Sequence, residues 1–251
     1  GLGEEVKILL LGATGNSGQR LLQLGLERGH DLTVFVRDKA KLIEQIGDAV
    51  SKLTLVVGDV YDASALATAM QGQEVVINAA GNVNDGDSFV HLIDVVATQV
   101  ERVMGKSARL WVFAGAALLD IPGTALMGTD LPKIPTQFRR HKENYRRLQA
   151  SSLDWSMLCP GPMIPAENGR ARTDLRLSAD VWPFASPGFT RLLPRVGLLV
   201  LFGRNIGAMT ISYEDAAAVI MNNLDPKGQF SRKRVGIALP PGVRGKKKLD
   251  F

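Results

Sequence analysis

The sequence has little of what several kinds of protein depend on. Among its 251 residues there is one cysteine, Cys159. A lone thiol cannot close an internal disulfide, so a reducing compartment, the cytoplasm, is expected. There are three histidines, His30, His91 and His141, scattered without ligand spacing, so no metal site is expected. Aromatic residues make up 6%, too few between the basic residues to suggest a nucleic-acid surface. The longest apolar run, residues 196–202, falls far short of the ~20 residues a membrane span needs. The opening Gly1, Leu2, Gly3, Glu4 and Glu5 carry neither a basic start nor an apolar core, so no secretory signal is expected. There is no Ser-His-Asp arrangement, no internal repeat and no heptad pattern.

What remains is an ordinary globular composition, with 45% hydrophobic and 22% charged residues. That suits a single soluble domain over residues 1–251 with a sizeable core. The net charge is +5, from 30 basic and 25 acidic residues. The excess sits late, at Arg170, Arg172, Arg176, Arg191, Arg195, Arg204, Arg232, Lys233, Arg234, Lys246, Lys247 and Lys248. It reads as a solvated face or as attraction for an anionic ligand. The expected partner is a small-molecule substrate, with no nucleic acid and no membrane, for a monomer or homodimer.

The first half alternates between continuous apolar runs and helical patterns. Strands are expected at residues 6–11, 32–36, 53–57, 75–78, 109–113 and 155–159. Helices are expected at 17–28, 39–46, 62–70, 88–104 and 136–150, the third capped by Asp62. Such alternation implies right-handed βαβ units in an α/β Rossmann-type fold, a doubly wound parallel sheet. After Pro160 the regularity breaks. Residues 160–210 are too long for a plain loop and are expected to form a small substrate lobe or lid near the C-terminal part. A short strand at 209–211 and a helix at 213–223, capped by Ser212, follow.

The first strand runs straight into Gly12-Ala13-Thr14-Gly15-Asn16-Ser17-Gly18. Gly12 permits a sharp turn off the strand, Gly15 lets a pyrophosphate approach the backbone, and Gly18 lets the helix pack closely. The helix N-terminus then offers free N–H groups to phosphates. In this setting the loop is expected to bind a dinucleotide rather than serve as a plain turn. The second strand ends at Arg37-Asp38. An acid here usually holds the ribose hydroxyls of NAD(H), whereas Arg37 suits the 2′-phosphate of NADP(H). Asp38 keeps NAD(H) open as the alternative.

Several segments, taken together, resemble the atypical short-chain dehydrogenase/reductases. They are the glycine loop, Gly58-Asp59-Val60, Asn78-Ala79-Ala80-Gly81, Leu153-Asp154-Trp155 leading to Cys159-Pro160-Gly161, and Ile211-Ser212-Tyr213-Glu214-Asp215-Ala216-Ala217. Residues 113–119 and the loop after them resemble the NmrA-like and biliverdin-IXβ/flavin reductase branch. The resemblance implies Asp59 and Val60 at the adenine, and Ala79, Ala80 and Gly81 along the cofactor. It also implies Ala114 and Gly115, with Pro160, Gly161, Pro162 and Met163, near the nicotinamide.

The match stops at the catalytic residues. Related enzymes carry a serine after the fifth strand and a Tyr-x-x-x-Lys pair. Here Ala114, Gly115 and Ala116 occupy the first place, and Gln149 follows Tyr145 where the lysine would stand. The candidate proton donors are His141, Lys142 and Tyr145, with His141 and Tyr145 on one helix face that is expected to point at the nicotinamide. A solvated basic helix is the plainer alternative. The sequence therefore suggests an NADPH-preferring oxidoreductase that transfers hydride to a small planar or carbonyl substrate. A non-catalytic NADP(H) sensor is the second reading, and a nucleotide-sugar epimerase or dehydratase the last. Cys159 and Trp155 are expected in the core, and Trp182, Phe184 and Phe189 in a lid or in local packing.

Overall fold

A computed structural model describes residues 4–247. The segments 1–3 and 248–251, which include Gly1, Leu2, Gly3 and Lys248 of the residues read at the two ends, lie outside the described residues. The chain runs β1 (Lys7–Leu11), α1 (Asn16–Glu27), β2 (Asp31–Val36), α2 (Lys39–Ile46), β3 (Thr54–Val57), α3 (Ala63–Met70) and β4 (Val75–Asn78). It continues through α4 (Asp87–Val103), β5 (Arg109–Phe113), α5 (Arg139–Gln149), β6 (Asp154–Cys159), β7 (Met163–Ile164) and β8 (Arg176–Ala179). The remainder is α6 (Arg195–Arg204), β9 (Ile211–Ser212), α7 (Tyr213–Met221) and β10 (Lys233–Ala238).

Eight strands form one sheet in the order β3-β2-β1-β4-β5-β6-β10-β8. Seven run parallel, and β8 closes the edge antiparallel to β10. The chain steps outward from β1 to β3, returns to β4 and proceeds the other way, which makes the doubly wound sheet that the alternation predicts.

The continuous apolar strands are explained by cover on both faces. Leu9 and Leu11 point into one core with α3 and α4, while Ile8 and Leu10 point into the other with α1 and α7. A leucine buried this fully contributes roughly 2 kcal/mol relative to exposure. Asp62 caps α3 by accepting from the backbone N–H of Ser64 and Ala65. Ser212 and Asp215 exchange side-chain and backbone hydrogen bonds at the start of α7.

Residues 160–210 divide between several places. β7 pairs with β9 in a separate two-stranded sheet, and β8 joins the main sheet. α6 seats Leu198 and Phe202 inside, with Trp182 and Phe184 stacked beside them at 5.0 Å between ring centroids. Phe189 is exposed.

Three strands, β7, β8 and β10, escape the sequence patterns. β10 opens on Lys233 and Arg234, which read as a solvated basic stretch, and Gly236 interrupts its apolar run. Arg234 is in fact buried, with its guanidinium paired bidentately to Asp120 at 2.9 and 3.0 Å. It also donates to the Leu118 carbonyl at 2.7 Å. Gly236 has no Cβ because Ser178 Oγ of β8 occupies that space.

Candidate functional site

The C-terminal ends of the parallel strands lie along one edge, and the reversal between β1 and β4 opens a crevice there. A cleft of about 530 Å³ occupies it. Gly12, Thr14, Arg37, Val60, Ala80 and Gly81, all expected at a cofactor, line this cleft. Gly12 has φ +80, and a Cβ on it would lie 2.4 Å from the Ala80 nitrogen and 2.5 Å from the Ala79 carbonyl carbon. The turn and the approach of β1 to β4 therefore both require glycine. Gly18 meets the Gly12 carbonyl oxygen so closely that any Cβ would overlap it.

Gly15 caps α1 without a side-chain hydrogen bond, and the first turn, with Asn16, Ser17 and Gly18, carries no acid. The free N–H groups and the positive end of the helix dipole are left for an anion. This cradle fits the diphosphate of a dinucleotide.

At the far end Arg37 is exposed on the cleft. The Asp38 carboxylate also lines it, but accepts the Lys41 N–H at 3.0 Å and so caps α2. Asp59 does not line the cleft. Its carboxylate accepts the Tyr61 N–H at 2.9 Å and holds the turn that presents Val60 and Tyr61.

Further residues line the cleft that the sequence reading did not single out for the site, among them Lys41, Tyr61, Asp85, Ser88, Phe89 and Leu92. Lys41 follows Arg37 by four positions at a strand-to-helix turn, a signal available in the sequence. Phe89 and Leu92 lie on the inner stripe of α4, where helical periodicity places them. The Tyr61 hydroxyl donates to the Ser88 carbonyl at 3.2 Å, and its ring stacks on His91 at 5.2 Å.

Ala114, Gly115, Pro160, Gly161, Pro162 and Met163 lie outside this cleft, at the ends of β5 and β6. They are tied together there. The Ala116 N–H donates to the Pro160 carbonyl at 2.9 Å, and the Gly161 N–H to Met209 at 3.2 Å. Burial pushes the Cys159 thiol up to about 12, so it behaves as a packed, protonated group.

The three residues considered as proton donors are not brought together. His141 is buried behind Phe89, edge-on at 5.8 Å between centroids, and stacks on Phe138. Its Cδ2 and Nε2 face Gly115. Lys142 turns away to Asp130 at 3.7 Å. Tyr145 packs against Trp155, under the Arg234 guanidinium, which sits 4.5 Å from its ring centroid. Burial raises its pKa against the opposing pull of Arg234. The shared face predicted for His141 and Tyr145 exists, but four residues of helix displace them by about 6 Å along the axis. Tyr145 therefore falls beside β10 and the start of β6, not at the strand ends.

The fold and the cleft define a Rossmann-type dinucleotide-binding protein. A profile described as NAD(P)H-binding matches residues 12–191, and the chain belongs to that family. It is similar to an isoflavone reductase homolog of Zea mays, 34% identical over 100 residues, which are 37% of this chain and 31% of that protein. The chain thus spans about a third of the length of that relative. Its fold is like that of a short-chain dehydrogenase/reductase from Veillonella parvula in complex with NADP (TM-score 0.66, 19% identity, 94% of this chain and 95% of that one). It is also like ChuY, an anaerobillin reductase of Escherichia coli O157:H7 (TM-score 0.63, 18% identity, 95% and 99%). These likenesses agree with the resemblance to atypical short-chain dehydrogenase/reductases drawn from the motifs. Among the described residues, no helix is long and apolar enough to cross a membrane, and no cluster of metal-ligating side chains is present.

Proposed function

We propose that the chain is an NADPH-preferring oxidoreductase that reduces a small planar or carbonyl substrate. The observation that carries the cofactor preference is the arrangement at the end of β2. Arg37 and Lys41 line the cleft with their charges available, while the neighbouring Asp38 carboxylate is engaged in capping α2. Two cations and a committed acid favour a 2′-phosphate over a free ribose diol. The reductase relatives support the direction of the chemistry. When bound, the dihydronicotinamide supplies the hydride. This chain's part is to hold the diphosphate on the α1 N-terminus and to orient the substrate at the ends of β5 and β6.

Titration of the purified chain with NADPH and NADH tests the preference. Arg37→Glu is expected to weaken NADPH at least tenfold more than NADH, and an equal loss for both overturns the 2′-phosphate assignment.

The second reading, a dinucleotide sensor without turnover, draws on Gly115 and Gln149, which stand where a serine and a lysine are usual. Gln149 donates to the Tyr145 hydroxyl at 2.8 Å and supplies no charge there. NADPH binding without oxidation across flavins, quinones, biliverdins and aldehydes favours the sensor.

A further inference from the structure

α5 carries two buried polar side chains that its packing leaves unsatisfied. His141 is 7% exposed and its Nδ1 has no hydrogen-bond partner. Asn144, one turn further along, is 1% exposed, and neither its oxygen nor its nitrogen has a partner. Buried polar atoms are almost always paired, because an unpaired one costs about 1–3 kcal/mol. A merely structural face would carry apolar residues here, as Leu148 does one turn beyond. The other edge of the imidazole, Cδ2 and Nε2, faces Gly115, where a Cβ would stand 3.4 Å from each. Gly115 follows β5, beside the Pro160 turn at the end of β6, and Phe89 links His141 to the wall of the dinucleotide cleft.

We propose that His141, as a neutral imidazole, donates a hydrogen bond from Nε2 to the carbonyl oxygen of the substrate over Gly115. This deepens the reductase reading above and rests on it. The substrate class follows: an uncharged ketone, aldehyde or quinone, whose oxygen needs a donor and not a counter-ion.

The protonation pattern fits. An N–H sealed inside without an acceptor is tolerated less often than an unpaired acceptor. The proton therefore belongs on Nε2. Burial also pushes the imidazole down to about 4, so it is neutral at physiological pH. A neutral imidazole can still polarise a carbonyl. As the carbonyl carbon gains the hydride, the π-bond pair moves to oxygen, and that oxygen takes its proton from solvent. His141 begins and ends neutral, and the dinucleotide is left oxidised.

The first test needs no turnover. In the full chain with 15N-labelled histidine, long-range 1H–15N spectra resolve three imidazoles, and His141→Phe identifies one by its loss. The expected pattern is the neutral Nε2–H form from pH 8 down to about pH 5. The Nδ1–H form, or titration near the ordinary 6.5, overturns the proposal. The second test pairs NADPH binding, followed by fluorescence, with NADPH oxidation by an aldehyde and by a quinone. His141→Phe is expected to lower kcat on the order of 100-fold, with the NADPH Kd within threefold of the parent. His141→Gln, which keeps an N–H donor, is expected to recover at least tenfold of that loss. Retention of kcat within threefold in a folded His141→Phe variant overturns the donor role. So does a parent chain that binds NADPH but oxidises none with either acceptor, which leaves the cofactor reading standing. A parent chain that binds no NADPH defeats the cofactor reading itself.

Discussion

Gly115 and His141 face each other across the end of β5. A Cβ on the glycine would stand 3.4 Å from both Cδ2 and Nε2 of the imidazole. The contact distance leaves room for a small side chain but not for a branched one. Gly115→Ser is therefore expected to fold with a thermal midpoint within a few degrees of the parent, whereas Gly115→Val displaces His141 and lowers it clearly. Thermal unfolding of both variants checks this.

Burial of that imidazole sets a pH dependence. In the unfolded chain it titrates near 6.5, and in the folded chain near 4. Between those values the unfolded chain binds more protons, so stability rises with pH through this window. The contribution is fully present above pH 6.5 and is lost as pH falls to about 4. A shift of this size corresponds to about 3 kcal/mol. Urea unfolding at pH 7 and pH 4.5 is expected to differ less for His141→Phe than for the parent by on the order of 2 kcal/mol. An identical difference in both refutes the assignment.

The glycine loop separates a structural from a binding role. A Cβ on Gly15 would meet only the Gly12 oxygen, at 3.7 Å, an ordinary contact. One on Gly18 would overlap that oxygen and lie 2.7 Å from Ala13 Cα. Gly15→Ala is thus expected to keep its stability and to weaken NADPH at least tenfold. Gly18→Ala is expected to lose about 2–3 kcal/mol of stability through overpacking. Denaturant melts beside NADPH titrations distinguish the two.

Lys41 offers a smaller test of the same cleft. Its loss in Lys41→Ala removes one of two cations, so NADPH is expected to weaken roughly fivefold, about 1 kcal/mol, with NADH unchanged. Equal weakening of both cofactors, read by the same titration, excludes a 2′-phosphate contact.

Arg234 and Asp120 form a bidentate ion pair outside the cleft, enclosed on the arginine side. The Arg234 side chain is 4% exposed and that of Asp120 is 38%. Solvent at Asp120 screens the pair, but its removal leaves a buried cation with the more distant Asp180, at 3.5 Å, and the Leu118 carbonyl. Asp120→Ala is expected to cost about 2–3 kcal/mol, and Arg234→Met less, because the aspartate left behind can hydrate. The reverse order, measured by chemical denaturation, contradicts this reading of the clamp.

Most of the sheet was legible in the sequence because parallel strands covered on both faces must be apolar throughout. β4 and α2 stand where their patterns place them. β10 was not legible, because a buried arginine opening a strand looks like surface until its partner Asp120, 114 positions away, is known. β8, the edge strand, alternates half-buried and exposed positions with none fully buried, and so has no apolar run to mark it. At the site, the glycine loop and Arg37 were readable from local geometry. The separation of His141 from Tyr145 was not, since a helical wheel shows direction around an axis and not position along it. The orphaned carboxamide of Asn144 likewise emerges only when the neighbours that fail to pair with it are in place.

Every residue that lines the dinucleotide cleft falls between Leu11 and Leu92, whereas Gly115, His141 and the Pro160 turn come later in the chain. If His141 acts as proposed, anchorage and reactivity occupy consecutive stretches of one sequence. Substitutions in the later stretch can retune or silence the chemistry without loosening the grip on the nucleotide. Such a molecule can drift between catalyst and sensor by a handful of changes in its second half, and its relatives' selectivity is best compared there, with the first half as the fixed reference.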